Sequence, residues 1–596
     1  MSIVPLVKAT LYGPVAEKDS VLNGLQTLGC MHVNDLHRGV APADDVPDES
    51  GDARAALQYL EDCPVKRLSL QHHEDVGIEE TVNKVLNIRD RSRALVEERA
   101  QLRRWIKDLE PWGDFHLPSW GQEGALRFWF YVVPLHQRKE VEAIELPWRV
   151  ISQDHRFAYI VVITADRPAA MPGSPVSLDP RTLSTLRARL GEVERQLEET
   201  DYQRIGGTLY IDGLKGRLAE ADDRAACKSA ALRTHDQDQL FAVQGWVPEA
   251  STPALKAFAA DHKLAMTITP PTSEEKPPTL FHNPPLLRGG EGLVQFYTTP
   301  AYHMWDPSNS VFIAFAIFFG MIFSDAGYGL ILGIIMLALW KRLGHSTSGR
   351  GMRGLLLALV ISCIVYGVLI GSYFGITPRP GSPLAKLRVL NPENLNLMML
   401  IAIGFGVAHL SFANLITAWL RRKSLSALSS VGWACIILGG FMLGVGKSYH
   451  VAPMASVGIS SLALGGLLVL VFTSKRPFST SPKALLGRLV DGVKGVAELS
   501  KAFGDVLSYL RLFALGLASI KLAEAFNSLA ARSLAFKGVG ILLAALVLLV
   551  GHSINFVMGI MGGVVHGLRL NVIEFFNWSL HGEGEAFRIF AVKERE

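Results

Sequence analysis

The chain has 596 residues, 49% of them hydrophobic and 19% charged, with a formal net charge of +4. That length exceeds one domain, and so small a net charge gives no electrostatic footprint for a nucleic-acid partner. The five cysteines (Cys30, Cys63, Cys227, Cys363 and Cys435) form no CxxC pair, so neither a zinc site nor a disulfide framework is expected, and a cytosolic soluble part fits.

Apolar residues are spread unevenly. Residues 1–300 are charge-rich and read as a cytosolic domain, whereas 301–596 are mostly long apolar runs and read as a membrane domain. The opening "MSIVPLVKATLYG" lacks a basic region followed by a long apolar core, so no cleaved signal is expected. Residues 1–76 spell strand, helix, strand in "VPLVKATLYG", "KDSVLNGLQTLG" and "CMHVNDLHRG", and 239–270 repeat that order. Residues 1–76 and 235–275 are expected to join into one proximal α/β lobe. Between them lie two arms, 78–112 and 180–225. Ile88, Leu95, Leu102 and Leu109 recur every seven residues in the first. Leu183, Leu190 and Leu197 do so in the second, with Leu186 and Val193 filling the seam. Such heptads predict an antiparallel coiled-coil hairpin, with a distal lobe, 115–175, at its tip. The charges outside the seam need mean no more than a solvated face, yet two lobes on a shaft make a natural docking arm.

About 20 apolar residues cross the hydrocarbon core. Eight candidates lie near 309–325, 327–341, 354–375, 397–419, 429–447, 454–473, 493–531 and 537–579. The fold class expected is an α-helical polytopic membrane domain plus an N-terminal α+β cytosolic domain of two lobes joined by a coiled-coil hairpin. "KRLGHSTSGRGMR", "RRKSLSALSS" and "SKRPFSTSPKALLGR" carry several basic residues each, whereas "GKSYHVAPMAS" carries one. "RPGSPLAKLRVLNPENLN" carries three but is longer. The bias predicts cytosolic N- and C-termini. The last two segments would each make roughly 60 Å of helix at 1.5 Å per residue, twice the core thickness of about 30 Å. Their apolar character predicts steep tilt, which suits a curved partner surface.

Each of those segments holds an arginine, Arg511 and Arg569. A charge at mid-membrane costs several kcal/mol and marks an ion path or a counter-ion, and arginine does not titrate away. Its partner should be an acid, and the acids nearby in sequence, Asp505, Glu524 and Glu574, lie near helix ends. An internal arginine–acid pair that stabilises the bundle is the structural alternative. Asn555, Gly559, Gly562, His566 and Arg569 recur at steps of four and three, and Gly504, Ser508, Arg511, Ala514 and Ala518 form a comparable stripe. Small residues permit close approach of another helix, and ordinary packing explains the glycines as well. His409 and His552 read as packing residues. His566, on the face of Arg569, is balanced between packing and function. "GGFMLGVGKS" (439–448) has Phe441 where a phosphate-binding loop needs glycine, so no nucleotide site is expected there.

With these residues in hand, the chain resembles the membrane stator subunit, called a or I, of vacuolar/archaeal-type rotary ATPases. "SYLRLFALGLA" (508–518) and "HGLRLNVIEFF" (566–576) carry the resemblance most specifically. "QGWVP" (244–248), "PPTLFHNPPLLRGGEGLVQFYTTPAYHMWDPS" and "FFGMIFSDAGYG" (318–329) support it in matching order, so that it covers essentially the whole chain. The resemblance implies that Arg511 is the essential arginine and Arg569 its helper. Both would act on carboxylates of a rotor ring of proteolipid subunits K, passing H+ or Na+ between two offset half-channels. It implies Glu498 on the cytosolic path, and Asp325, Lys521, Glu524 and His552 toward the outside. Ser508 and His566 would flank the arginines, with Glu574 a further half-channel candidate. Many relatives carry an acid ten positions before the second arginine. This chain has Gly559 there, so Glu524 or Asp325 would supply that group. Implied partners are peripheral stalk subunits of the E/G type, the central-stalk ring adaptor and the lipid bilayer, in a prokaryotic plasma (inner) membrane. No cofactor, metal, nucleotide or catalysis by the chain itself is implied.

Two alternatives come from other classes. A stand-alone secondary transporter with a cytosolic regulatory domain should show inverted repeats or broken helices, and no convincing repeat is legible. A membrane-anchored sensor needs an output module, for which the closing "AFRIFAVKERE" is expected to leave no room.

Overall fold

The structure is a computed structural model, and it describes residues 3–36, 51–67, 78–116, 126–168, 171–272, 274–344, 346–474, 476, 482–580 and 582–592. Parts of the expected proximal stretch (37–50 and 68–76), the start of the distal segment (117–125), and positions 345, 475 and 477–481 of two basic loops lie outside the described residues. The chain opens with β1 (Leu6–Pro14), α1 (Lys18–Leu28), β2 (His32–Val33), α2 (Gly51–Glu61) and α3 (Ile78–Leu109). β3 (Arg127–Pro134), α4 (Arg138–Glu142), β4 (Trp148–Gln153), β5 (Phe157–Thr164), β6 (Ser174–Val176), α5 (Leu183–Gly207) and α6 (Ile211–Arg233) follow. Then come β7 (His235–Gln237), β8 (Leu240–Pro248), α7 (Thr252–Asp261) and β9 (Ala265–Thr269).

Two compact units share these elements. One comprises Pro14–Gly29, Asp35–Phe241 and Phe590–Glu596. Here α3 and α5 form the antiparallel hairpin that the heptads predict. Leu95, Leu102 and Leu109 bury against Leu183, Leu186, Val193 and Leu197. Arg103–Glu194, Arg187–Glu110 and Arg189–Glu98 bridge the flanks at 2.7 Å. Exposed ion pairs of this kind contribute about 0–1 kcal/mol each, against about 1.5–3 kcal/mol for each buried leucine, so the seam decides the pairing. α5 starts where Thr182 accepts a hydrogen bond from the Thr185 amide. Ile88 is only half-buried, because the seam changes partners there. α2 and α6 join it through Ala56, Leu60, Ile211 and Leu214, packed on Val82 and Val85. The short α2 escaped the sequence reading. At the other end a four-stranded sheet has the order β4-β5-β3-β6, with β3–β5, β4–β5 and β3–β6 antiparallel. Alternation splits its side chains between two faces. Tyr131, Val133, Ala158, Ile160 and Val162 cluster with Val141 of α4, whereas Phe130 and Val161 pack on Trp112.

The second unit comprises Met1–Gly13, Cys30–Asn34 and Ala242–Ile589. Its sheet has the order β2-β8-β1-β9, with β1–β9 and β2–β8 antiparallel. α8 (Gly289–Gln295) and β10 (Thr299–Pro300) lead into the apolar helices α9 (Ser308–Phe323), α10 (Ala326–Leu339) and α11 (Thr347–Ile370). After α12 (Pro383–Lys386) come α13 (Leu395–Leu420), α14 (Ala427–Ser448) and α15 (Ala452–Phe472). The seventh apolar segment is three helices, α16 (Pro482–Ala497), α17 (Leu499–Leu507) and α18 (Leu510–Ser533). The eighth is α19 (Gly540–Arg569), a π-helical turn (Leu570–Phe575) and α20 (Phe576–Ser579), followed by β11 (Glu583–Gly584). Among the described residues six helical stretches are long and apolar enough to cross a membrane: 349–370, 395–420, 427–448, 452–472, 486–533 and 540–579. α9 and α10 are shorter apolar helices, so six rather than eight spans meet the length requirement. The stretch once compared with a phosphate-binding loop lies inside α14.

The C-terminal stretch is no loose tail. β11 pairs antiparallel with β10, Thr279 N–H donates to Glu585 O at 2.7 Å, and Phe587 N–H donates to Thr279 O at 3.1 Å. Farther along, Arg588 N–H donates to His32 Nδ1 at 2.9 Å.

α9 packs on α19 through a row of phenylalanines and a row of glycines. A side-chain carbon on Gly567, Gly563 or Gly559 would stand 3.3, 2.5 or 2.9 Å from Phe315, Phe319 or Phe323 respectively. Each row advances by four residues, one turn of helix, so aromatic ridges fill grooves that only hydrogen leaves open. Gly563→Leu is therefore expected to overpack this contact by about 1–3 kcal/mol or more. Gly440→Ala, which meets nothing within 4 Å, should stay within about 0.5 kcal/mol. Thermal unfolding of the two purified variants measures the difference.

Candidate functional site

Both arginines sit at interruptions of their helices. Between α17 and α18 the chain turns at Ser508 and Tyr509, and Arg511 N–H reaches Ser508 O at 3.3 Å. Tyr509 pins the turn. It is fully buried, its hydroxyl meets His409 Nδ1 at 2.8 Å, and its ring stands edge-on to Phe318. Arg511 thus occupies the first turn of α18. Arg569 is the last residue of α19 and directly precedes the π-helical turn. A π-turn closes over five residues rather than four, which carries Glu574 inward where a continuous α-helix would point it elsewhere.

Glu574 is the acid that the structure brings to Arg511. Its Oε1 lies 3.9 Å from Arg511 Nη1, with side-chain exposures of 3% and 22%. That distance is a charge contact rather than a hydrogen bond. Ser508 Oγ donates to Gly504 O at 3.1 Å. Glu574 Oε2, Arg511 Nη1 and His566 Nδ1 are buried with no hydrogen-bond partner. Buried polar atoms left without partners are rare and call for a functional explanation. The two other acids considered are engaged elsewhere. Asp505 accepts from Trp578 Nε1 at 2.7 Å, and Glu524 accepts from Lys521 Nζ at 2.7 Å.

Arg511, Ser508, Glu574 and His566, with the exposed Arg569, therefore line one stretch where α18 and α19 pack together. Glu498, Lys521, Glu524, Asp325 and His552 are not part of it. Glu498 is exposed at the break between α16 and α17, thirteen residues from Arg511. Lys521 and Glu524 form an exposed pair with each other on α18. Asp325 is buried at the α9–α10 turn and fully engaged. Its Oδ1 accepts from the amides of Tyr328 and Phe374, and its Oδ2 from Ser372 Oγ and the Gly375 amide, all at 2.6–3.1 Å. It caps α10 and clamps the 372–375 loop, which leaves little acceptor capacity for a transported ion.

The expected polar stripe on α19 divides. Asn555 and Gly559 are buried, and Phe323 takes up the space beside Gly559, so this half faces the bundle and not an open surface. His566 is partly exposed and Arg569 exposed. On the other segment Gly504, Ala514 and Ala518 are exposed, leaving a small-residue face open beside Arg511. His552 donates or accepts at both ring nitrogens, with Tyr328 Oη at 2.6 Å and Asn527 Oδ1 at 3.0 Å. Asn527 and Ser519 were missed by sequence reasoning, since isolated polar residues in apolar helices carry no period; Asn555 was read only as part of the stripe, and Tyr328 only inside the turn segment. The stretch "FSDAGYG" (323–329), which contains Tyr328, was the one available signal.

Residues 230–354 match the family described as V-type ATPase 116kDa subunit. A V-type ATP synthase subunit I from Chlamydia pneumoniae is 26% identical over 88% of this chain and 87% of its own length. Its counterpart from Borreliella burgdorferi is 25% identical over 99% of both. An A-type ATP synthase subunit I from Methanocaldococcus jannaschii is 30% identical over 59% of this chain and 55% of its own. The chain, with six helical stretches of membrane-crossing length among its described residues, is thus similar to V-type and A-type ATP synthase subunits I, and over nearly its whole length to the first two.

Proposed function

We propose that this chain is the non-catalytic membrane stator of a V/A-type rotary ATPase or ATP synthase. The observation that carries the proposal is the pair of arginines at matched helix interruptions, one bordered by an exposed small-residue face. A rotor helix approaching that face brings its carboxylate against Arg511. The fixed positive charge favours the ionised carboxylate, so an arriving site releases its H+ or Na+ and takes up another only after moving on. Because Arg511 and Arg569 never lose their charge, they also keep the two access paths electrically apart. Each elementary charge crossing a potential of 100 mV corresponds to about 2.3 kcal/mol, the quantity that rotation converts.

Between rotor visits Glu574 is the resident counter-ion of Arg511. At 3.9 Å it holds the guanidinium without a hydrogen bond to break, which makes exchange for a rotor carboxylate easy. Glu498 lies on the cytosolic access path, and Lys521, Glu524, Asp325 and His552 line or brace the external one. The hairpin of α3 and α5 and its two lobes hold paired E/G-type peripheral stalks and adjoin the central-stalk ring adaptor. The chain sits in a prokaryotic plasma membrane with both termini cytoplasmic. It binds no nucleotide, and as a stator it transports nothing without its rotor, unlike a stand-alone transporter.

In vesicles holding the whole complex, Arg511→Ala should leave assembly on native gels intact and abolish ATP-driven ion uptake. Normal coupled uptake in that variant would remove Arg511 from the mechanism. Glu574→Gln removes a counter-charge and not the driving one. It should slow uptake about tenfold, the effect of roughly 1.4 kcal/mol on a limiting barrier. An effect as complete as that of Arg511→Ala would show that Glu574 is itself on the ion path.

A further inference from the structure

A second polar assembly is buried between α10, α18 and α19, apart from the arginines, and its hydrogen bonds have one self-consistent direction. Asn527 Nδ2 donates to Phe374 O at 2.8 Å, which turns Asn527 Oδ1 toward His552 Nε2 at 3.0 Å. An amide oxygen only accepts, so His552 carries its hydrogen on Nε2 and presents a lone pair at Nδ1. The Tyr328 hydroxyl, 2.6 Å from Nδ1, must then donate to it. Tyr328 Oη in turn accepts from Asn555 Nδ2 at 3.1 Å. The other hydrogen of that amide goes to Ser519 O at 2.9 Å, and Ser519 Oγ donates to Asn555 Oδ1 at 3.4 Å. Tyr328 is 1% exposed, and Phe374 and Phe556 stand edge-on to its ring. Of the charged and titratable groups on the packed elements, Asp325 is engaged by its four donors and Lys521 by Glu524; Arg511 and Arg532 on α18 and His566 and Arg569 on α19 are the others.

We propose that His552 and Tyr328 are the proton-handling station of the external access path, held in one tautomer by Asn527 and Asn555, and that the coupled ion is the proton. This rests on the stator reading and deepens it. The station lies on the elements that bear the arginines. Ser519 is eight residues beyond Arg511 on α18, about 12 Å at 1.5 Å per residue. Asn555 is one turn from Gly559, where Phe323 leaves no room for a side chain. In the transfer, one proton binds at His552 Nδ1 while the Tyr328 O–H turns away and its oxygen accepts from the new N–H. The imidazolium then gives one proton up, and no bond between heavy atoms changes. An imidazole suits this because either ring nitrogen can donate or accept. A hydrated metal cation does not fit the same route. The oxygens that would replace its water are already engaged by neighbouring nitrogens, and Tyr328 and Asn555 are buried in direct contact with each other.

The test uses the whole complex in vesicles and compares wild type, His552→Gln, His552→Glu, Tyr328→Phe and Arg511→Ala, each checked for assembly. In sodium-free medium wild type should acidify the vesicles. His552→Gln, which keeps hydrogen bonding without titrating, should slow acidification roughly 10²-fold, the low end for a lost proton-transfer group. His552→Glu, which restores a titratable group, should recover most of the rate, and a purely structural role would show no such rescue. Should His552→Gln fail to assemble, Tyr328→Phe, which keeps the packed ring, carries the same expectation of slowed acidification. Wild-type rates in His552→Gln or Tyr328→Phe, absence of rescue by His552→Glu, or sodium uptake that persists in the presence of a proton uncoupler would each overturn the proposal. Arg511→Ala separates the two levels. If it is inactive while the His552 and Tyr328 variants pump normally, the relay alone fails; if it pumps normally, the stator reading fails with it.

Discussion

A guanidinium among apolar helices has to be met by negative charge, and much of the membrane unit's local geometry follows from how Arg511 is met. The contact to Glu574 is close enough for strong attraction and too long for a hydrogen bond. A tighter internal pair would bury both charges permanently, and breaking such a pair costs several kcal/mol. A longer one would leave an uncompensated charge. The intermediate distance needs two backbone devices: the turn at Ser508–Tyr509, which sets the guanidinium, and the π-turn at Leu570–Phe575, which sets the carboxylate. Neither is held by the charges themselves. His409 and Phe318 fix Tyr509, and the stack of His409 on Phe575, 4.2 Å apart and nearly parallel, ties the π-turn to the same anchor. Thus one half-buried histidine, His409, touches the anchors of both ends of the ion pair.

Around this centre the polar groups fall into two kinds. Asp325 and Asp505 have their acceptor sites directed at neighbouring donors, and they stiffen turns. Glu574, His566 and Arg511 keep atoms that nothing satisfies. The division follows burial and hydrogen bonding rather than residue type, so a carboxylate in an apolar segment is not by that fact part of a path.

What was legible in the sequence was what repeats. The hairpin of α3 and α5 follows from leucines seven apart, and its one departure, Ile88, marks where α2 and α6 enter. The arginines were legible because a charge in an apolar run is conspicuous. Glu574 was legible as a residue but not as the chosen partner, because "LNVIEF" carries nothing that announces a π-turn. The break before Arg511 was equally silent, since Ser508 and Tyr509 are compatible with helix. Gly559 follows the packing reading of the small residues, since Phe323 takes up the space beside it. Spacing identifies a face; only the neighbouring helix decides whether that face is open.

The backbone pairing after α20 has a mechanical consequence. A force on the last apolar helix has to leave it somewhere, and a stiff route spares Arg569 the displacement. Helix-against-helix contacts slide under shear, since side chains can repack one turn along. The route from the Arg569 helix is stiffer: through α20, into β11 bound to β10, to Thr279, and by the Arg588 amide to His32 on the edge strand β2. Each link is a covalent bond or a main-chain hydrogen bond, except the last, in which the Arg588 amide donates to the His32 side chain. The last helix is thus braced at its far end like a beam set into a wall, and a turning force on it is delivered to the sheet as tension along peptide strands.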